Sequence, residues 1–141
     1  MPRFLTNAPI GAAALLAEIA SPACGATTLF LGTVRRSAED GDVASIEYSA
    51  YSEMAEAEFG RMVAEAVTRW PAARIALRHR MGRILTGEAS IGIAVACPHR
   101  AEAYDCSRYL IEETKKRAPV WKKEQLGSGP ARWVEPKAAH A

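Results

Sequence analysis

Three cysteines are all that this 141-residue chain contains, and Cys24, Cys97 and Cys106 form no CxxC pair and leave an odd one out. That pattern argues against a disulfide framework or a structural zinc site and fits a reducing compartment. Histidine is equally sparse. His79, His99 and His140 fall at no recognisable metal-ligand spacing, so neither a metal nor another cofactor is expected. Charge of one sign is missing as well: 18 basic and 16 acidic residues leave a net +2, too weak for general nucleic-acid binding, so basic character is local. No apolar run approaches the length of a membrane span. The stretch from Ile10 to Ala20 carries Glu18, follows Pro9 and is preceded by a single arginine, so it reads as an amphipathic helix rather than a secretory signal. There are no internal repeats and no low-complexity linkers. One cytoplasmic domain over residues 1–136 is expected, with a disordered tail from Lys137.

What is present is a mixture of strand and helix periods. Asn7-Ala8-Pro9 followed by Ala12, Leu15, Leu16 and Ile19 predicts a short capped helix that Ser21-Pro22 ends. Gly25 to Val34, rich in β-branched and aromatic residues, predicts a strand. A polar turn at 37–42 and a second strand from Val43 to Tyr51 follow, and a turn between two strands predicts an antiparallel pair. Ser52 is placed to cap a helix through Arg69 with Ala55, Phe59, Met62, Val63, Ala66 and Val67 as its core stripe. Arg74 to Arg80 alternates like a strand with one wet face, and Met81 to Gly87 reads as a glycine-bounded connection. Ala89 to Cys97 sets Ile91, Ile93, Val95 and Cys97 against Gly92, Ala94 and Ala96. Such a strand is buried on both faces, and its small face lets a helix approach closely. A helix opens at Pro98-His99-Arg100 and runs to about Lys116, and Arg132 to Glu135 ends the chain as a short strand. The class is α+β.

The densest chemistry lies in Lys115-Lys116-Arg117-Ala118-Pro119-Val120-Trp121-Lys122-Lys123-Glu124, with five cations and a proline among them. Pro119 lacks an N–H and pushes Ala118 out of the α region, so the flanking lysines belong to different local structures and can converge. Convergent lysines suit an anionic substrate or amine chemistry; a solvated basic helix end is the plainer alternative. Two further places set cations at element ends. Arg35 and Arg36 sit where the first strand stops, and His99 and Arg100 sit at a strand-to-helix junction where N–H groups attract anions. The junction and the basic run lie about a helix length apart, so they meet only if another copy or a folded-back loop closes the gap. Tyr48 and Tyr51 read as packing residues. A non-catalytic basic module that holds RNA or an acidic protein tail is the rival from another class, and Trp121 beside the cations partly meets its needs.

Six stretches in this order carry a resemblance: Phe30-Leu31-Gly32-Thr33-Val34-Arg35, Ile46-Glu47-Tyr48-Ser49-Ala50-Tyr51, His79-Arg80-Met81-Gly82, Gly87-Glu88-Ala89-Ser90, His99-Arg100 and the basic run itself. From about Gly25 to Glu135 the chain resembles the MoaE family, the large catalytic subunits of molybdopterin synthases. The resemblance implies an α/β hammerhead fold with an antiparallel sheet and flanking helices. It implies a homodimer in which each copy binds a small ubiquitin-like sulfur-carrier subunit (MoaD-like, with a Gly-Gly tail), a heterotetramer in all. The implied reaction is sulfur transfer from the carrier's C-terminal thiocarboxylate to cyclic pyranopterin monophosphate, giving the molybdopterin dithiolene. Lys115 and Lys122 match the family's catalytic lysines; Arg35, His99 and Arg100 match its substrate-pocket positions. Lys137 is a candidate contribution from the partner subunit. Pro98 before His99 and Ser49 after Tyr48 depart from the family pattern, and Ser49 leaves Tyr48 without an acidic residue directly after it.

Overall fold

The computed structural model describes residues 3–36, 43–127 and 131–134. In chain order they form β1 (Leu5–Thr6), α1 (Ala12–Ile19), β2 (Ala26–Thr33), β3 (Val43–Ala50), α2 (Ser52–Arg69), β4 (Arg74–Arg80), β5 (Gly82–Leu85), β6 (Ala89–Cys97), α3 (Arg100–Arg117), β7 (Val120–Leu126) and β8 (Arg132–Val134). The fold is α+β, with two four-stranded sheets ordered β1-β4-β6-β2 and β5-β3-β7-β8. Every pairing is antiparallel except the short parallel one between β1 and β4. No helix among the described residues is long and apolar enough to cross a membrane.

Strand β6 is the centre of the first sheet, and its two faces explain the layers on either side. Ile91, Ile93, Val95 and Cys97 join Phe59 and Met62 of α2 and Cys106 and Leu110 of α3 in the main core. Ala94 and Ala96 instead pack with Leu15 and Ile19 of α1. The helix comes close because Gly92 has no side chain: a Cβ there would lie 2.7 Å from Leu15 Cδ1 and 2.8 Å from Ile10 Cγ2. In α2 the stripe is buried from Ala55 to Ala66, whereas Val67 turns to solvent. The α2 cap is Tyr51 rather than Ser52, and α1 begins after Gly11; neither start uses a side-chain cap.

Two sequence expectations fail on pairing. Strands β2 and β3 do not pair with each other but lie in different sheets. Both edges of β3 are taken, by β5 and β7. The chain leaving β2 bonds instead to the segment before β6, with Val34 N–H donating to Glu88 O at 2.9 Å and Gly87 N–H donating to Val34 O at 2.8 Å. The segment from Met81 to Gly87, expected as a connection, contains β5. Positive φ at Gly82 (89°) and Gly87 (91°) turns the chain at both ends of that strand. Strand β1 carries no sequence signal. It is held by Glu56 of α2, whose carboxylate accepts the backbone N–H groups of Arg3, Phe4 and Leu5 at 2.7–3.0 Å. The polar turn at 37–42 and the tail from Lys137 lie outside the described residues.

Candidate functional site

The basic run is split by its proline into a helix end and a strand. Ala118 has φ −66° and ψ 122°, the extended geometry imposed on a residue before proline, and α3 stops at Arg117. On α3, Ile111, Thr114, Lys115 and Ala118 recur at helical spacing and line one cleft. On β7 the period is two. Lys122 lies opposite Tyr48, Glu124 opposite Ile46 and Val120 opposite Ala50, so these side chains share one face. Trp121 and Lys123 take the other face, where Lys123 Nζ sits 5.6 Å from the centre of the exposed Trp133 ring. Lys115 and Lys122 thus enter the same cleft from two elements.

The cleft has two lobes that meet at a waist of Tyr48, Ser90, Ile91, Ile111, Lys115 and Lys122. One lobe, about 460 Å³, runs toward His79, Ala118 and Val134 and is mainly apolar. The other, about 270 Å³, runs toward Gly32, Thr33, Arg35 and Glu124. Arg35 therefore joins the two lysines along one continuous hollow. Glu124 is the acid of that hollow, buried to 9% exposure, and accepts from Arg132 Nε at 2.7 Å. Three cations thus face one carboxylate that already has a partner, so the cleft favours anions.

Two groups beside the lysines, buried His79 and half-buried Tyr48, were given no chemical role from sequence. His79 is 6% exposed, and burial, reinforced by the Lys115 charge, lowers its pKa to about 4. Its Nδ1 lies 3.0 Å from Arg80 O, so Nδ1 carries the proton and donates. Its ring meets Tyr48 edge-on at 4.9 Å. Burial raises the Tyr48 pKa, as does the negative charge of Glu124, while a hydrogen bond with Ser90 works the other way. Glu124, opposite Ile46 on β7, is thus the acidic neighbour that Ser49 does not provide. Tyr48, read from sequence as packing, is part of the cleft wall. The available signal was strand register: Tyr48 and Lys122 are partners once β3 and β7 pair, but nothing local announces that pairing.

His99 and Arg100 are not brought to the cleft. Both are exposed at the start of α3, and the helical rise puts them about 22 Å along the axis from Lys115. Their junction is fixed from behind by Gly25, whose N–H donates to Pro98 O at 3.2 Å. Lys137 lies outside the described residues. Of the remaining cations in the run, Arg117 is no mere solvated charge. It bonds Glu58 and Glu65 of α2 and Glu113 of α3 at 2.6–3.1 Å and ties the two helices together.

The family model described as MoaE protein matches residues 5–117. The molybdopterin synthase catalytic subunit of Halalkalibacterium halodurans is 39% identical over 126 residues, covering 89% of this chain and 80% of that one. The crystal structure of molybdopterin synthase from Staphylococcus aureus superposes with a TM-score of 0.88 at 31% identity, covering 95% of this chain and 98% of that chain. A chain from the complex of subunits 1 and 2 of the Helicobacter pylori molybdopterin-converting factor has a TM-score of 0.73. It covers 93% of this chain and 88% of that one; at 18% identity this likeness is one of fold alone.

Proposed function

The chain belongs to the MoaE family, and from that membership we propose that it is the catalytic subunit of a molybdopterin synthase, a sulfurtransferase of molybdenum cofactor biosynthesis. The observation that carries the assignment is the convergence of Lys115 and Lys122, from opposite sides of Pro119, on a cleft that also holds Arg35. Its substrates are both anions: cyclic pyranopterin monophosphate and the thiocarboxylate at the Gly-Gly tail of a small carrier subunit. A guanidinium fork suits the phosphate, which puts it at the Arg35 lobe. The larger, mainly apolar lobe that His79 lines suits a tail of two glycines. The two reacting ends then meet at the waist, between the lysines. There the ammonium groups stabilise charge that develops as the thiocarboxylate sulfur attacks the pterin side chain.

His99 and Arg100 enter this scheme through a second copy. The edge strand β2 leaves Leu29, Phe30 and Leu31 exposed, and the Arg35 lobe opens beside it. A homodimer seated there brings the α3 start of one copy to the Arg35 lobe of the other, with Lys137 as a further donor. With one carrier per copy the assembly is a heterotetramer.

The test is single-turnover conversion of cyclic pyranopterin monophosphate by this protein with a thiocarboxylated carrier. Lys122→Ala and Lys115→Ala are each expected to slow it by about 100-fold or more. Near-normal turnover in both variants would refute the lysine assignment. The rival binding module has one observation in its favour, the groove of Tyr51, Trp121 and Trp133 on the outward face of β3, β7 and β8. It predicts that the folded wild-type protein converts nothing and binds arbitrary oligonucleotides with a steep salt dependence.

A further inference from the structure

Three buried side chains line the larger lobe of the cleft, and each has its proton already placed. His79, Ser90 and Thr114 are 6%, 8% and 7% exposed. Ser90 donates its hydroxyl proton to Gly32 O at 3.2 Å, and Thr114 donates its own to Leu110 O at 2.7 Å. A hydroxyl has a single proton, so both oxygens have only lone pairs left to offer. His79 Nδ1 donates to Arg80 O at 3.0 Å, and in the neutral ring that leaves a lone pair on Nε2. The ring is neutral near pH 7, because burial lowers its pKa to about 4. Among the described residues no group donates to Nε2. At the waist the Tyr48 phenol can serve either way, whereas Lys115 and Lys122 only donate. The lobe thus sets three acceptors behind two ammonium groups.

Acceptors call for donors, and the two ammonium groups repel any donor that is a cation. The other walls are Ile91, Ile111, Ala118, Val120 and Val134, so a donor that enters leaves its water behind and has to be bonded inside. A neutral run of N–H groups ending in an anion meets both conditions, and a peptide C-terminus is such a run. Glycine adds no side chain to fill the space of about 460 Å³. We propose that His79 Nε2, Ser90 Oγ and Thr114 Oγ1 are the specificity-determining acceptors for the carrier tail. They take hydrogen bonds from the peptide N–H groups of its two glycines while the lysines hold the terminal thiocarboxylate. The lobe therefore reads the backbone of the tail as well as its charge.

This role rests on the sulfur-transfer assignment, but it is read from binding, without turnover. A MoaD-like carrier is ligated to synthetic tails that end either in Gly-Gly or in glycine-glycolate. The glycolate ester replaces the last peptide N–H by an oxygen and keeps the length and the terminal carboxylate. Calorimetry with the wild-type protein is expected to show about tenfold weaker binding of the ester tail, since one bond is lost and an oxygen faces a lone pair. That penalty should shrink in whichever of His79→Phe, Ser90→Ala and Thr114→Val removes the acceptor of that N–H, because the two then act as one pair. Equal binding of the two tails by the wild-type protein overturns the inference, even where no variant folds. So does an undiminished penalty in all three folded variants. With ¹⁵N-labelled histidine, the Gly-Gly carrier is expected to move the Nε2 resonance of His79 upfield. A shift caused by cyclic pyranopterin monophosphate alone, and not by the carrier, assigns the acceptors to the pterin ring and overturns the inference too. A carrier that does not bind the folded protein at all refutes the carrier reading itself, whereas one that binds both tails equally refutes only the acceptor role.

Discussion

His79 sits between the Tyr48 ring at 4.9 Å and the Phe59 ring at 6.3 Å, with 6% of its surface exposed. Its charged form is disfavoured first by desolvation and then by the nearby Lys115, so its folded pKa is about 4 against the ordinary histidine value of 6.5. Between those values the unfolded chain binds a proton that the folded chain refuses. Stability is therefore intact above pH 6.5 and falls as the pH drops through 6.5 toward 4. The slope approaches ~1.4 kcal/mol per pH unit, and integration from about pH 7.5 to about pH 4.5 gives a loss of about 2.5 kcal/mol. Urea unfolding followed by tryptophan fluorescence across that range measures it, with His79→Asn as the reference. The asparagine amide can still donate to Arg80 O and does not titrate. Glu58, held below the usual carboxylate range by Arg61 and Arg117, and Glu65, held there by Arg117, lose their contribution in wild type and variant alike, so the difference isolates the histidine. Parallel stability curves for the two proteins would refute the account. Removing the ammonium in Lys115→Met should narrow the difference, since that charge is one of its two causes.

Three other perturbations test the frame around the cleft. In Glu56→Gln one of the two oxygens that accept the Arg3, Phe4 and Leu5 amides becomes a donor. A loss of about 1–3 kcal/mol is expected, together with faster hydrogen exchange at the β1 amides but not at those of β6. Gly25→Ala sets a Cβ 2.9 Å from the backbone oxygen of Pro98, which cannot swing aside as a side chain can; unfolding curves should show about 1–3 kcal/mol of destabilisation. Arg117→Met cuts the α2–α3 ties, which are partly exposed and so contribute on the order of 1 kcal/mol. Its effect on Tm should shrink at high salt.

Much of this could be read along the chain wherever a residue's neighbours in sequence decide its place. The large and small faces of β6 follow from alternation, and they correctly imply a close helix on the Gly92 side. The break at Ala118-Pro119 follows from steric exclusion alone. Partners were less legible. A strand's sequence shows which residues share a face but not which strand lies beside it, so β2 and β3 looked like a hairpin while each pairs elsewhere. Strand β5 is only four residues long between two turn-forming glycines, and its identity comes from β3 beside it. His79 and Ser90 stayed hidden for the same reason. They become site residues only when β4 and β6 carry them under α3 and beside Tyr48.

The basic run shows how two periods sort like charges that sequence alone would lump together. On α3, consecutive residues are turned by about 100°, so Lys115 faces the cleft while Arg117 reaches the carboxylates of α2. On β7, consecutive residues are turned by about 180°, so Lys122 faces the cleft and Lys123 faces Trp133. A helix carried on through Pro119 would set Lys115 and Lys122 on one face about 10 Å apart along the axis, pointing the same way. The turn at Ala118 instead folds the strand back against β3, so the two lysines approach the waist from different walls. Two charges that converge from different elements can bracket a reacting group, whereas two on a single helix face can only flank it. The proline therefore does more than end a helix. It converts a charge run into a site, and the Arg117 ties hold the helix end at which that conversion happens.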